Sequence, residues 1–140
     1  MIKINYSHLC EKAFLSQNGN LNLIGIFERI IAQKLPLVFP QLAIVSSLEG
    51  DHGQHKMTIK IINAHNKKEI IKAIQLNIDI KPVKKENAAQ KQNLRIIGEI
   101  NNLKIEEIGH YEIQIFLNNE LVYTTPFAVE KHVQPIPEGR

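Results

Sequence analysis

The sequence contains few residues of the kinds that build covalent cross-links and metal sites. Among its 140 residues there is one cysteine and no tryptophan. A single cysteine excludes an internal disulfide and a zinc site made of several cysteines. Asp51 and Asp79 are the only aspartates, so the sequence has no clustered acidic loops of the kind that bind calcium. We therefore predict that the protein needs no metal and no other cofactor.

Long apolar segments are also missing. No run approaches the ~20 apolar residues that a membrane-spanning helix requires. The first residues, Met-Ile-Lys-Ile-Asn-Tyr-Ser-His, do not combine a basic start with the apolar core of a signal peptide. We therefore expect a cytoplasmic protein without a membrane partner.

Sequence patterns for phosphate and nucleic acid binding are weak. There is no glycine-rich loop leading into a helical pattern, as nucleotide-binding motifs require. Lysines 81, 84, 85 and 91 could form a basic patch, but no aromatic residues lie among them to stack on bases. The net charge of +3 is mild. Nucleic acid is therefore not a predicted partner.

The apolar residues that are present follow the period of β-strands. Hydrophobic residues make up 44% of the chain and charged residues 22%, which is typical of a globular domain with one core. The clearest alternation is Ile-Gln-Leu-Asn-Ile-Asp-Ile over residues 74–80, which predicts a strand with one buried face. Helical periodicity is almost absent, and isoleucine, which favours strands, dominates the apolar set.

The most informative stretch covers residues 10–31 and predicts a β-hairpin. Two alternating segments flank Asn18-Gly19, a strong turn signal because both residues tolerate positive φ. The second segment is apolar on both faces, which predicts a strand that is covered on both sides or that lies at a corner between sheets. Gly25 within it predicts a bulge, a bend or a close backbone approach.

Several other segments are predicted to lie outside the sheets. Pro36 and Pro40 predict an apolar crossover loop, since proline is excluded from central strands. Residues 28–34 could extend the preceding strand or form one helical turn. Residues 81–93 are polar and without period, and predict a mobile loop that is dispensable for folding.

These patterns together predict an all-β fold. About eight short strands separated by turn signals indicate a single antiparallel β-sandwich, immunoglobulin-like or similar. Residues 1–133 would form this domain, and the proline-rich residues 134–140 would form a C-terminal tail.

Short motifs are spread over nearly the whole chain. They are Cys10-Glu11-x-Ala13, Gly19-Asn20-Leu21, Ile24-Gly25-Ile26-Phe27-Glu28-Arg29-Ile30, Gly53-Gln54-His55, Gly109-His110-Tyr111 and Asn119-Glu120-Leu121. Together they resemble a bacterial family of uncharacterised proteins, a domain of unknown function whose members have Cys-Asp-like, Gly-Lys-Leu, Gly-Ile-Phe-Asp-like and late Gly-x-Tyr segments. Here Glu11 replaces the usual Asp and Asn20 the common Lys. The resemblance implies a small all-β domain and supplies no reaction, cofactor or catalytic residue.

Two groups of residues could carry chemistry. His8 and Cys10 lie on one face of a predicted strand, but side chains two residues apart have Cα atoms ~7 Å apart, which is long for a catalytic dyad. Asp51, His52 and His55 lie in and beside a predicted turn and could bind zinc or nickel. Structural zinc usually takes four ligands, and surface histidines that bind no metal are the preferred interpretation of this group.

Because no acid/base set converges in the sequence, we predict a non-enzymatic interaction module that binds a protein partner or itself as a homo-oligomer. The alternative is a small-ligand-binding or enzymatic sandwich with a site near His8 and Cys10 or near His55. A deep pocket holding one of these residues would favour the alternative, since the fold class alone decides neither.

The predicted interface consists of Glu11, Glu28 and Arg29. Glu28 and Arg29 follow the apolar strand of the hairpin, and Glu11 lies in its partner strand. We expect Arg29 to reach the carboxylate of Glu11 or Glu28, because the planar guanidinium suits bidentate pairing with a carboxylate and arginine is enriched in interfaces.

Overall fold

The computed structural model describes residues 2–80 and 92–132. These residues form nine strands and no helix, so they include no helix that could cross a membrane. The strands are β1 (Lys3–Leu15), β2 (Leu21–Ile26), β3 (Arg29–Ala32), β4 (Leu37–Gly50), β5 (Gly53–Asn63), β6 (Ile74–Ile80), β7 (Gln92–Ile105), β8 (Gly109–Leu117) and β9 (Glu120–Lys131). The predicted tail and most of the predicted loop over residues 81–93 lie outside the described residues.

The strands are arranged in two sheets. Sheet A has the order β2-β1-β4-β7, and sheet B has the order β3-β9-β8-β5-β6. The all-β prediction is confirmed. The pairing is antiparallel except between β3 and β9, which are parallel, so the prediction of wholly antiparallel pairing is wrong there. Only residues 27 and 28 separate β2 from β3, and the chain changes sheets in this link without a hairpin.

Both sheets contribute to one hydrophobic cluster. The alternation of the strands turns one face of each sheet towards it, and Met57, Ile59 and Ile61 of β5 are buried there. Sheet A contributes Leu42, Ile44 and Leu48, among others. A β-carbon built on Gly98 of β7 would lie 4.0 Å from Cδ1 of Ile59 in β5, so the two sheets approach each other closely at this glycine.

The glycines of sheet A give a matched pair of substitutions. Gly25 has a φ of 68°, and an added β-carbon would lie 2.5 Å from Oε2 of Glu11. The backbone of Gly98 has no positive φ, and an added β-carbon would make ordinary contacts, 3.8 Å from the carbonyl oxygen of Ile44. We expect Gly25→Ala to lower the free energy of unfolding by about 1–2 kcal/mol and Gly98→Ala to raise it by about 0.5–1 kcal/mol. Urea denaturation measures both changes. Equal effects of the two substitutions would contradict the structural difference between Gly25 and Gly98.

The proline segment differs from its prediction. β4 starts at Leu37 and contains Pro40, so the crossover loop ends earlier than expected. β4 pairs with β7 from Leu37 onwards but with β1 only from Ala43 onwards. Pro40 therefore lies where one side of β4 has no partner strand, and a missing N–H is tolerated there. Residues 29–32, for which a helical turn was one alternative, form β3 instead.

The β1–β2 hairpin folds over its own sheet. Its turn is at the predicted Asn18-Gly19 position, where Gly19 has a φ of 79°. Nη2 of Arg95, in β7 at the far edge of sheet A, donates to the carbonyl oxygen of Gly19 over 3.0 Å. Beneath the hairpin lies a second apolar cluster whose buried members are Cys10, Ala13, Ala43 and Val45. The face of sheet A that points away from the main cluster is thus partly covered by the hairpin.

Candidate functional site

The three predicted interface residues lie near the point where the chain changes sheets. β2 is the outermost strand of sheet A and β3 the outermost strand of sheet B. The link between them is so short that both outer strands lie on the same side of the molecule. We call residues 24–31, which cover the end of β2, the link and the start of β3, the crossover edge.

Two depressions adjoin the crossover edge. The larger, of about 500 Å³, is lined by Glu28, Arg29 and Phe27, with His8 and His110 nearby. The smaller, of about 380 Å³, is lined by Glu11 and by several apolar residues, and again by Phe27 and Arg29. Since Phe27 and Arg29 line both, they form the ridge between them. The structure therefore brings Glu11, Glu28 and Arg29 to one surface.

The ion pair of Arg29 differs from the predicted one. Nη1 of Arg29 lies 3.5 Å from Oε2 of Glu130, a residue of β9, and not beside Glu11 or Glu28 as expected. In the parallel pairing, Arg29 is opposite Ala128 and Ile31 is opposite Glu130, so Arg29 reaches Glu130 diagonally. The side chains are 68% and 47% exposed, and such a pair contributes about 0–1 kcal/mol.

Glu11 lies directly over Gly25 of the neighbouring strand. The side-chain atoms of Glu11 from Cγ outwards occupy the space that a β-carbon on residue 25 would need. The sequence predicts a bulge, a bend or a close backbone approach at Gly25; the group that lies close to it is a side chain, which none of these alternatives named. This contact gives a structural reason for glycine in the Gly-Ile-Phe motif and holds Glu11 at the smaller depression.

The crossover edge exposes large apolar side chains that the sequence analysis did not assign to a surface. Ile26 is 58% exposed and Ile31 is 49% exposed, and Ile24 and Val38 are about half exposed beside them. Exposed apolar surface is characteristic of interaction sites, and these side chains lie on a short stretch of the chain and on the start of β4. The signal in the sequence was the absence of charge from Leu-Asn-Leu-Ile-Gly-Ile in β2, since outer strands usually carry charges that prevent pairing with other chains.

The alternative pair, His8 and Cys10, does not form a dyad. Cys10 is fully buried, and its Sγ lies 3.7 Å from the carbonyl oxygen of Ala43. Burial raises the pKa of the Cys10 thiol above its ordinary value, which disfavours the reactive thiolate. His8 is exposed, and its ring stacks on Tyr6 with 5.2 Å between centroids. Cys10 is therefore part of the packing beneath the hairpin.

The other alternative, His55, lines a depression of about 470 Å³ beside β5 and β6. Oδ1 of Asn118 accepts a hydrogen bond from the backbone N–H of Lys56 over 3.0 Å, which directs Nδ2 of Asn118 at Nδ1 of His55, 3.1 Å away. Nδ1 must then accept, so the hydrogen-bond network assigns the ring proton to Nε2. Nε2 is buried without a hydrogen-bond partner. The site offers an oriented donor but no nucleophile.

The geometry of the described residues gives no support to the metal alternative at Asp51, His52 and His55. Within residues 2–80 and 92–132, no group of three or more His, Cys, Asp or Glu side chains is placed to hold a metal ion. His55 makes its hydrogen bond to Asn118.

Structural comparisons give distant similarities. The chain is similar to an alkylpurine DNA glycosylase, AlkC, of Pseudomonas fluorescens bound to DNA containing an abasic site analog, with 11% identity, a TM-score of 0.50, and coverage of 92% of this chain and 30% of that one. It is also similar to a β-glucosidase of Listeria innocua in complex with isofagomine, with 10% identity, a TM-score of 0.50, and coverage of 92% and 17%. An immunoglobulin-like protein of Pseudomonas aeruginosa has 13% identity, a TM-score of 0.48, and coverage of 93% and 97%.

These similarities concern the fold alone, and the chain spans less than a third of the glycosylase chain and of the glucosidase chain. No curated protein matches the sequence. A family model does match, over residues 5–130. This range includes nearly all of both sheets, the turn of the hairpin and the crossover edge. The chain therefore belongs to DUF6941, a family of unknown function, as the motif resemblance implied.

Proposed function

We propose that this protein is a non-enzymatic interaction module that binds a protein partner or a second copy of itself through the crossover edge. The observation that carries the proposal is the exposure of Ile24, Ile26 and Ile31 on two outer strands that follow each other in the chain. Burying apolar surface contributes about 25 cal/mol per Å². The half-exposed isoleucines would therefore gain stabilisation when a partner covers their exposed surface.

The backbone of the crossover edge supports the same proposal. An outer strand has N–H and C=O groups without partners on one side, which an added strand can pair with. β2 carries no charged residue to oppose such pairing. The outer strands on the other side do carry charges: β6 contains Asp79, and β7 contains Arg95, Glu99 and Lys104.

The frame that presents this edge is, in our proposal, an immunoglobulin-like β-sandwich closed around the shared hydrophobic cluster. Besides that cluster, the support is Tyr111 near the start of β8, whose hydroxyl donates to the carbonyl oxygen of Glu107 over 2.6 Å. A tyrosine bonded to the backbone a few residues upstream is a hallmark of such sandwiches. The frame would hold the end of β2 and the start of β3 in fixed positions.

A small-ligand site beside His55 is the second candidate. It is favoured by the buried Nε2–H group, which has no partner among the described residues, and by the adjoining depression. An unsatisfied buried donor costs about 1–3 kcal/mol. We rank this candidate below the first because Nε2 is buried, and Gly53 at the start of β5 lies close to it.

Site-specific photo-crosslinking tests the proposed function in the native cell. We expect benzoylphenylalanine in place of Ile24 to yield one discrete protein adduct, because that side chain would lie in the interface. The same probe in place of Leu121, which is about as exposed but lies at the far end of β9, should yield none.

Adding Ile26→Lys to the Ile24 probe should remove the adduct, since a charge at position 26 opposes pairing along the edge. The melting temperature of this variant should stay unchanged, because Ile26 is exposed. Equal adduct formation from positions 24 and 121, or none from either, would contradict the proposal.

A further inference from the structure

We infer that the partner at the crossover edge is a second copy of this chain, related to the first by a two-fold axis through residues 26–31. This inference rests on the proposed function and names its partner. Two-fold homodimers use the same surface patch twice, so the patch must be complementary to itself. Residues 26–31 meet that condition in both charge and hydrophobicity.

The complementarity appears when residues 26–31, Ile-Phe-Glu-Arg-Ile-Ile, of two copies are placed side by side and antiparallel. With the axis between positions 28 and 29, Glu28 of each copy faces Arg29 of the other. In the same register, Ile26 of each copy faces Ile31 of the other. All four of these side chains are exposed, whereas Ile30 between them is buried in the core. Opposite charges and two apolar pairs therefore meet without any like charges facing each other.

Arg29 is able to change partners. Its contact with Glu130 is 3.5 Å long and solvent-exposed, so a second copy would displace a weak pair rather than a buried one. Arginine that pairs with carboxylates is a common anchor of interfaces. Glu28 makes no ion pair within the described residues, and it is exposed beside Arg29.

The balance of charge argues for a second copy over a foreign partner. A partner recognised by its charge would be met by an excess of one sign. The crossover edge has one acidic and one basic residue, Glu28 and Arg29, in a chain whose net charge is +3. Within residues 26–31 the charges of two copies therefore attract each other and select the register, while Glu11 and Glu130 add negative charge beside this segment.

Sedimentation velocity of the purified full chain tests this inference, over about a hundredfold range of concentration because dimerisation follows mass action. We expect a reversible dimer in the wild type. Glu28→Arg and Arg29→Glu should each weaken the dimer about tenfold or more, because each places like charges opposite each other twice. Glu120→Arg, a charge reversal at the start of β9, is the matched control and should leave the dimer unchanged.

Mixing the two single variants is the decisive measurement. In a mixed dimer, positions 28 and 29 are both basic in one copy and both acidic in the other, so opposite charges face each other again. The mixture should therefore dimerise more tightly than either variant does alone. The double variant Glu28→Arg/Arg29→Glu should dimerise by itself for the same reason.

A monomeric wild type, or variants that mixing fails to rescue, would overturn the inference. If the probe at position 24 then gives an adduct whose mass differs from that of two copies of this chain, the proposed function stands with another protein as the partner. If it gives no adduct, both the proposed function and this inference are wrong.

Discussion

Replacing Ile115 with alanine is expected to lower the free energy of unfolding by about 2–5 kcal/mol, the range for removing a large buried aliphatic side chain. Ile115 is fully buried in β8, between β5 and β9. Its cross-strand neighbours are Ile59 and Tyr123. The loss combines the transfer of buried carbon atoms to water with the cavity that remains. Urea denaturation monitored by circular dichroism measures it.

Leu121→Ala is the matched control for this prediction. It removes a similar aliphatic volume from β9, but Leu121 is 47% exposed, and substitutions at exposed sites usually change stability by less than about 0.5 kcal/mol. A loss at Ile115 no larger than the loss at Leu121 would mean that β8 does not lie at the centre of a shared core. The proposed closure of the two sheets would then be wrong.

Replacing Tyr111 with phenylalanine is expected to lower the free energy of unfolding by about 1–3 kcal/mol, because the carbonyl of Glu107 loses its donor in a partly buried place. The hydroxyl donates to that carbonyl over 2.6 Å. Phenylalanine keeps the ring, which stacks on Phe127 with 5.3 Å between centroids. The loss therefore reports the hydrogen bond that ties β8 to the turn before it. No change in stability would show that the bond contributes nothing.

The pH dependence of stability provides a second measurement on Tyr111. Burial, followed by the nearby Glu107 carboxylate, raises the pKa of Tyr111 above its ordinary value of 10.0. The folded state therefore favours the neutral hydroxyl. This contribution is fully present below pH 10.0 and is lost as the pH rises through the folded pKa. Tyr111→Phe should lose less stability at alkaline pH than the wild type does.

Cys10 must be removed from this comparison, because burial raises the pKa of its thiol above 9.0 and gives stability the same direction of change with pH. Measuring both proteins in a Cys10→Ala background isolates the contribution of Tyr111. If the free energy of unfolding falls equally with alkaline pH whether or not Tyr111 is replaced in that background, the role assigned to the Tyr111 hydroxyl is wrong.

Local sequence patterns predicted much of the secondary structure. The alternating segment at residues 74–80 coincides with β6, and Asn18-Gly19 forms the turn of the hairpin. Strand period and turn chemistry depend on neighbouring residues, so they can be recognised without knowing the fold. The Gly-x-Tyr motif could also be recognised, but the sequence did not show why tyrosine occurs there. The hydroxyl of Tyr111 bonds to the carbonyl of Glu107 only once the chain has turned from β7 into β8.

The sequence by itself determined that the fold is all-β and that β1 and β2 form a hairpin, whereas it left open why residue 25 is a glycine. Only the tertiary structure decided that β3 leaves the first sheet, that it pairs in parallel with β9, and that Arg29 meets Glu130. The partners Arg29 and Glu130 are 101 residues apart. The physical reason is that pairing between distant strands depends on sheet order and strand direction, which follow from packing the whole core, whereas strand and turn propensities act within a few residues.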